Sequence, residues 1–243
     1  MTTLIDIGNS RVKYCSLDEI DKGTFTKVTT VANEYFNESY FTEYFRHVNK
    51  IIVASVAPNL LTENLERWCL KQNLSYLEVK SEQKRANVIS AYDQPEQLGV
   101  DRWLTLLGSA QIYPNKSVLI IDAGTATTID LLSPSGQHIG GWILAGISTL
   151  FNSVLKETTK VSAKVVNHTS LSFGKNTTSN VNNACWAATV GLINQAITQA
   201  KYEVNHLDKI IITGGNAEVL QKLLSVDVTR IDELVFYGLN RYS

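Results

Sequence analysis

Residues 4–10 read Leu-Ile-Asp-Ile-Gly-Asn-Ser, and residues 120–126 read Ile-Ile-Asp-Ala-Gly-Thr-Ala. Both stretches consist of apolar residues, an aspartate, a one-residue spacer, a glycine and a small polar residue. This pattern is typical of a buried strand that ends in a tight turn and leads into a second extended stretch. Because the copies lie nearly half the chain apart, we interpret them as the heads of two similar halves. Pro114-Asn115-Lys116 is the predicted boundary.

Further apolar runs indicate the fold class. Residues 51–54, 118–121 and 210–212 are continuous, β-branched and followed by polar, Gly or Pro residues. Strands that are buried on both faces have this composition, because helices cover both sides of their sheet. Apolar residues at helical spacing follow in 59–70 and 102–112. The sequence therefore predicts an α/β fold.

Composition and charge exclude several classes of protein. The 243 residues are 44% hydrophobic and 19% charged, which suits a packed core and excludes a disordered chain. With 22 basic and 23 acidic residues and no basic run, the chain is not expected to bind nucleic acid or a membrane surface. No apolar run approaches a membrane span, and the three scattered cysteines form no disulfide framework. We therefore expect a cytoplasmic protein.

The first copy carries a candidate phosphate site. An aspartate beside a glycine turn presents a carboxylate, which suits Mg²⁺, and backbone N–H groups, which suit the phosphates that the ion bridges. Ser10 and Lys13 add a hydroxyl and a positive charge. The alternative is a simple hairpin in which Asp6 satisfies its own turn.

Two later elements strengthen the hypothesis of a nucleotide site. Asp122-Ala-Gly-Thr-Ala-Thr-Thr128 repeats the pattern with more hydroxyls, and Thr213-Gly-Gly-Asn216 lies between an apolar run and a helical pattern. Singly, the last element is an ordinary strand-to-helix turn, but three such elements in order favour binding of a nucleotide. The chain contains no P-loop, no Gly-x-Gly-x-x-Gly and no protein-kinase motif, and its four histidines are isolated.

A candidate base lies at the predicted start of a helix, in Gly99-Val-Asp-Arg102. Without context, Asp101 is a helix cap and Arg102 a surface residue. Phosphoryl transfer, however, needs a carboxylate that orients the attacking hydroxyl and accepts its proton. Asp101 is the best remaining carboxylate for that role.

Taken in order, these motifs resemble the type III pantothenate kinases of the acetate and sugar kinase, heat-shock chaperone and actin superfamily. The resemblance runs nearly end to end. It includes Gly140-Gly141 with 143–146, Gly174-Lys-Asn-Thr177 and the C-terminal 234–239. The chain departs from the family pattern at 180–184, Asn-Val-Asn-Asn-Ala, which is more polar and lacks the family's glycine. In the family this stretch lies on a helix, so the departure predicts that the helix packs differently in this chain.

The resemblance implies two ribonuclease H-like α/β domains, residues 1–114 and 115–243, with mixed sheets flanked by helices and an ATP cleft between them. It implies ATP-dependent phosphorylation of pantothenate to 4′-phosphopantothenate, the first step of coenzyme A biosynthesis, by a homodimer. Two alternatives remain open: a kinase for another small acceptor, such as a sugar or carboxylic acid, and, less favoured at this length, an ATP-gated interaction protein.

The same resemblance assigns roles to residues. Asp101 would be the general base, Asp6 would hold Mg²⁺ directly or through water, and Asp122 would bind a monovalent cation, K⁺ or NH₄⁺. The expected ATP-binding residues are Asp6, Ile7, Gly8, Asn9, Ser10, Arg11, Val12, Lys13 and Thr125. The expected pantothenate-binding residues are Tyr92, Gly99, Val100, Asp101 and Arg102, with Thr177 from the partner subunit.

Overall fold

A computed structural model describes residues 1–17, 20–21, 24–25, 27–166 and 168–243. They form two compact units, Met1–Pro114 together with Glu233–Ser243, and Asn115–Asp232. The strands are β1 (Thr2–Ile7), β2 (Arg11–Ser16), β3 (Ile20–Asp21), β4 (Thr24–Phe25), β5 (Thr29–Ala32), β6 (Lys50–Ser55), β7 (Ser75–Glu78), β8 (Lys84–Arg85), β9 (Val88–Ile89), β10 (Val118–Ala123), β11 (Ala126–Leu132), β12 (His138–Ala145), β13 (Lys209–Thr213) and β14 (Thr229–Arg230). The α-helices are α1 (Glu38–Tyr44), α2 (Leu60–Lys71), α3 (Val100–Ile112), α4 (Ile147–Glu157), α5 (Thr177–Glu203), α6 (Ala217–Leu223) and α7 (Leu234–Leu239).

The first unit is built on a five-stranded mixed sheet of order β5-β2-β1-β6-β7. The β1–β2 and β2–β5 pairs are antiparallel, whereas β1–β6 and β6–β7 are parallel. Leu4 and Ile5 are neighbours on β1 and both are fully buried. Both faces of the sheet are therefore covered, as the continuous apolar runs predict. On one face, Ile5 packs in a cluster with Phe41 of α1 and Trp68 of α2.

Helices α3 and α7 pack against each other in this unit. A Cβ at Gly108 would collide with the carbonyl oxygen of Leu234, and one at Gly238 with that of Leu104, so the two glycines permit a close approach. This packing places residues 233–243 with the first unit, whereas the sequence analysis assigned them to the second domain. It also leaves every residue from Arg102 to Ala110 buried, because α3 is covered on all sides.

The second unit repeats the same topology. Its sheet has the order β12-β11-β10-β13-β14, with two antiparallel pairs, β12–β11 and β11–β10, followed by two parallel pairs, β10–β13 and β13–β14. Helices α5 and α6 pack on one face, where Ile193 and Leu220 cluster with Ile121 and Ile129 of the sheet. The two copies of the repeated motif thus hold equivalent positions, on β1 and on β10. Among the described residues, no helix is both long and apolar enough to cross a lipid bilayer.

Candidate active site

Asp6 lies near the end of β1, opposite Lys13 of β2 in the sheet ladder. Burial raises the pKa of its carboxyl to about 6, the charge of Lys13 opposes this rise, and the negative charge of Asp101 adds to it. The first unit therefore brings Asp6 and Asp101 close enough to interact electrostatically. A partly buried carboxylate beside a second negative charge favours a bound cation, since a cation relieves both the burial and the repulsion.

The turn after β1 is a tight hairpin. The Gly8 N–H donates to the Arg11 carbonyl over 2.9 Å, and Asn9 and Ser10 lie exposed at the tip. A Cβ at residue 8 would lie 3.2 Å from the Arg11 oxygen, which explains the glycine. Exposed backbone N–H groups and a hydroxyl at a hairpin tip can contact phosphate oxygens.

Two of the predicted ATP-binding residues contribute no side chain to this surface. Ile7 and Val12 are opposite each other in the ladder and are fully buried. Their side chains belong to the core of the first unit, so only their backbone groups are available to a ligand.

Asp101 lies in the first turn of α3, where it accepts a hydrogen bond from the Arg102 N–H over 2.8 Å. A Cβ at Gly99 would lie 2.6 Å from the same carboxylate oxygen, so the Asp101 side chain would have to move if residue 99 carried one. The interpretation of Arg102 as a surface residue is wrong, because only 4% of it is exposed. Its Nη1 donates to the Tyr92 hydroxyl over 2.9 Å, and its guanidinium lies 5.7 Å from the centre of that ring. Among the predicted pantothenate residues, Arg102 therefore contacts both Asp101 and Tyr92, and Gly99 and Val100 lie at the start of the same helix.

In the second unit, Asp122 lies on β10 opposite Thr128 of β11 and Thr213 of β13. Gly214 follows Thr213 with φ of +92°, a conformation that favours glycine. A Cβ there would collide with the Asp122 carboxylate and would lie 2.7 Å from the carbonyl carbon of Ala123. Gly214 is thus required by its backbone conformation and by its closeness to Asp122 and Ala123.

Thr125 is exposed at the turn between β10 and β11. Its carbonyl accepts hydrogen bonds from the Gly146 N–H over 3.0 Å and from the Thr149 hydroxyl over 3.3 Å. A Cβ at Gly146 would lie 2.5 Å from the carbonyl oxygens of both Gly124 and Thr125. The start of α4 therefore holds the turn in place and leaves the Thr125 side chain at the surface.

Thr177 is the exposed first residue of α5. The preceding Asn176 caps the helix by accepting from the Ser179 N–H over 2.9 Å. The atypical stretch 180–184 continues the helix without a break. The Asn182 side chain donates to the Lys164 and Thr178 carbonyls, both over 2.8 Å, and accepts from the Val166 N–H.

Sequence reasoning missed Asn33, whose side chain contacts the hairpin turn after β1. It lies in a short 3-10 helix after β5, carries no motif and is far from the turn in sequence. Only the pairing of β5 with β2 brings it there, so no local signal was available. Within the ranges that the structure describes, no group of three or more His, Cys, Asp or Glu side chains is arranged to hold a metal ion.

Comparison with known proteins identifies the family. The model of the type III pantothenate kinase family matches residues 3–199. A protein of Colwellia psychrerythraea named type III pantothenate kinase is 49% identical over the full length of both chains. The chain belongs to the type III pantothenate kinase family. A second type III pantothenate kinase, from Nitrosococcus oceani, is 30% identical over 99% of this chain and 93% of its own. Membership confirms the prediction that the chain is an enzyme of the kinase class.

Solved structures with low sequence identity confirm the fold class of this pantothenate kinase family member. A putative Baf family transcriptional activator from Campylobacter jejuni aligns with a TM-score of 0.64 at 23% identity, covering 98% of this chain and 96% of its own. A putative 2-dehydro-3-deoxygalactonokinase from Sinorhizobium meliloti gives 0.59 at 12% identity, covering 99% and 97%. A glucokinase from an Antarctic psychrotroph gives 0.55 at 11%, covering 99% and 98%. The shared fold is α/β, with mixed sheets flanked by helices.

Proposed function

We propose that this chain transfers the γ-phosphoryl group of ATP to the hydroxyl of pantothenate, giving 4′-phosphopantothenate and ADP. Family membership supports the reaction, and the observation that carries its assignment to residues is the closeness of Asp6 to Asp101, whose negative charge helps to raise the pKa of Asp6. Asp6 precedes the proposed phosphate-binding turn, and Asp101 lies in the first turn of α3 beside the Tyr92–Arg102 pair. A kinase needs both functions, phosphate binding and activation of a hydroxyl, close together.

Asp101 acts as the general base in this proposal. The hydroxyl oxygen of pantothenate forms a bond to the γ-phosphorus while the bond to the β,γ-bridging oxygen breaks, and ADP leaves. The hydroxyl proton passes to the Asp101 carboxylate and from there to water. The hydrogen bond from the Arg102 N–H to Asp101 holds the carboxylate in one orientation. Tyr92, Gly99, Val100 and Arg102 line the acceptor pocket, where the buried guanidinium attracts the carboxylate of pantothenate.

The exposed tip of the hairpin, with Lys13 nearby, binds the phosphates of ATP. Asn9 and Ser10 supply backbone N–H groups, and Ser10 adds its hydroxyl. Thr125, on the exposed turn after β10, is a further candidate for contact with phosphate. Positioning and electrostatic stabilisation of this kind supply most of the catalysis in phosphoryl transfer.

The residues fit the two cations that the family implies. Asp6 would hold Mg²⁺, because Mg²⁺ is usually bound by one or two carboxylates, substrate phosphates and water, and burial and Asp101 both make this site favour a cation. When bound, Mg²⁺ neutralises the charge on the β- and γ-phosphates. Asp122 would hold K⁺ or NH₄⁺, since Gly214 leaves room at its carboxylate.

We also propose a homodimer in the cytoplasm, in which Thr177 of one subunit reaches pantothenate bound to the other. Thr177 is exposed at the start of α5, and large apolar side chains are exposed in the same unit. They include Ile143, Val165, Leu171 and Phe173. Sedimentation analysis of the purified chain tests this proposal, and a monomer at micromolar concentration would contradict it.

The decisive experiment measures ADP release from ATP and Mg²⁺, with and without pantothenate, in potassium and in sodium buffer. We expect release that depends on pantothenate and potassium, with phosphopantothenate detected by mass. Release that needs a sugar or another carboxylic acid would identify a different acceptor. Release that is indifferent to every small acceptor would favour an ATP-gated interaction protein.

The role of Asp101 is tested by Asp101→Asn, with Asp93→Asn as its control. Loss of a general base is expected to lower kcat about 10²- to 10⁴-fold, with little change in nucleotide affinity. Asp93 is an exposed carboxylate in the same unit, so its replacement is expected to leave kcat within about twofold. An Asp101→Asn enzyme with normal turnover would rule out the role.

A further inference from the structure

Asn33 contacts the carbonyl groups of the turn after β1, which is the proposed phosphate-binding turn. Its Nδ2 donates to the Gly8 carbonyl over 2.9 Å and to the Asn9 carbonyl over 3.1 Å. Its backbone N–H makes a longer hydrogen bond, 3.4 Å, to the Ser10 carbonyl. One residue therefore binds three consecutive carbonyl groups of the turn. Because carbonyl oxygens only accept hydrogen bonds, it is the nitrogen of the Asn33 amide that must face them.

The geometry of the peptide unit determines where the N–H groups of the turn point. All peptide bonds in the described residues are trans, so the C=O and N–H of each unit point in opposite directions. Holding the Gly8 and Asn9 carbonyls toward Asn33 therefore points the N–H groups of Asn9 and Ser10 away from it. Three partial negative charges are held together on one side, and the N–H donors lie on the other.

We propose that Asn33 is a positioning residue for the nucleotide: it binds the carbonyl groups of the turn and so presents the N–H groups of Asn9 and Ser10 to the phosphates of ATP. The proposal rests on the ATP-binding role of this turn. Without the amide, the peptide units of the tip can rotate and point carbonyl oxygens at an anion, which repels it. Asn33 acts through the backbone and need not contact the nucleotide itself.

The environment of the Asn33 side-chain oxygen agrees with a role of the amide as a hydrogen-bond donor. Its Oδ1 is buried and has no hydrogen-bond partner. An unsatisfied buried acceptor normally destabilises a fold, so this amide is not explained as a stabilising pair of donor and acceptor. The contribution of the Asn33 side chain is therefore the two hydrogen bonds that it donates to the turn.

The variants Asn33→Ala and Asn33→Asp test the proposal, with Asn37→Ala as the control. Asn37 lies four residues further on and caps α1 by accepting from the Ser39 and Tyr40 N–H groups, so its loss weakens the same region without touching the turn. For each protein we would measure KM for ATP, KM for pantothenate and kcat, and the affinity for MgADP by calorimetry. Melting temperatures report on the fold.

For Asn33→Ala we expect a rise of about tenfold in KM for ATP and a matching loss of MgADP affinity, which corresponds to the loss of one or two hydrogen bonds. KM for pantothenate is expected to stay within twofold. Asn33→Asp is expected to be worse than alanine, because its carboxylate repels both the carbonyl groups and the phosphates. If Asn33→Asp does not fold, Asn33→Ser, which keeps one donor, is expected to bind nucleotide better than Asn33→Ala.

Three results would overturn the inference: unchanged MgADP affinity in folded Asn33→Ala, equal effects of Asn33→Ala and Asn37→Ala on KM for ATP, or a rise in both substrate KM values together. Failure of the proposed function itself would look different. In that case the unmodified protein would show no ATP turnover with pantothenate, whereas the calorimetric comparison of MgADP binding would still test Asn33.

Discussion

At the scale of the residue, the carboxyl group of Asp6, the proposed Mg²⁺ ligand, lies in an environment that disfavours its charged form. In an unfolded chain its pKa is near 3.8, but in the fold burial and the charge of Asp101 raise that pKa to about 6. Between these pH values the folded protein holds a proton that the unfolded chain has lost. The free energy of unfolding therefore falls as pH rises from about 4 to 6, and it stays lower above pH 6.

We expect Asp6→Asn to remove this penalty and to abolish cation binding. The shift of about two pKa units corresponds to about 3 kcal/mol at most, so the variant is expected to gain about 1–3 kcal/mol over the unmodified protein at pH 8 without Mg²⁺. At pH 4 the two proteins should have similar stability. Urea unfolding at both pH values measures the difference, and an equal difference at pH 4 and pH 8 would contradict the expectation.

The sequence could indicate candidate site residues that belong to a local motif. It could not indicate residues that reach the site only through pairing of distant strands. Asp6 and Asp101 were predicted as site residues because each lies two residues from a glycine in a recognisable motif. Arg102 was predicted to bind pantothenate, but its burial was not predictable, because that burial depends on Tyr92 and on the packing around α3. Asn33 reaches the turn only through the pairing of β5 with β2, a contact that no local sequence pattern records.

At the scale of the element, the departure of α5 from the family pattern has a structural explanation. The described residues between α4 and α5, 158–166 and 168–176, form no regular secondary structure, and the asparagines of 180–184 hold part of this segment to the helix. Asn182 makes three hydrogen bonds to Lys164, Val166 and Thr178, and the Asn183 amide donates to the Ser172 carbonyl over 2.8 Å. In this part of α5, hydrogen bonds from asparagine side chains therefore take the place of the apolar contacts that the family pattern predicts.

Asn182→Ala is expected to release this segment from the helix. Loss of hydrogen bonds from a buried amide should lower the free energy of unfolding by about 1–3 kcal/mol and speed hydrogen exchange at the Val166 amide. Asn194→Ala, at an exposed position on the same helix, is the control and should change neither quantity. Unchanged exchange at Val166 would show that the segment is held by other contacts.

Among the elements, strands with continuous apolar runs were predicted correctly, whereas α5 was indicated only by the resemblance at 180–184 and not by an apolar pattern. Residues 51–54, 118–121 and 210–212 lie in β6, β10 and β13, each buried by helices. Helix α5 carries small and polar residues on much of its length, and its buried positions include Asn182, Cys185 and Thr189, so it has no clear apolar stripe. Its burial depends on the sheet beneath it more than on its own composition.

At the scale of the whole molecule, the repeated motif correctly indicated a duplicated architecture, but the course of the C-terminal segment was not predictable. Both units have a sheet of the same order and strand directions. Residues 233–243 nevertheless pack in the first unit, where the Tyr242 hydroxyl accepts from Trp103 Nε1 over 3.0 Å and donates to Glu82 over 2.7 Å. These partners lie far away in the sequence, so only the folded first unit brings them together.

We expect Tyr242→Phe to affect both stability and turnover, because Trp103 follows the Asp101–Arg102 pair on α3. The change removes one hydroxyl and leaves the buried Trp103 N–H without its acceptor, which should lower the free energy of unfolding by about 1–3 kcal/mol. The Arg85 guanidinium, 3.7 Å from the centre of the Tyr242 ring, can still stack on phenylalanine, so the C-terminal segment should stay in place.

With Tyr202→Phe as an exposed control, a fall in kcat at unchanged KM for ATP would show that the C-terminal tyrosine positions the acceptor side of the site. A loss of stability with normal kcat would restrict its role to the fold.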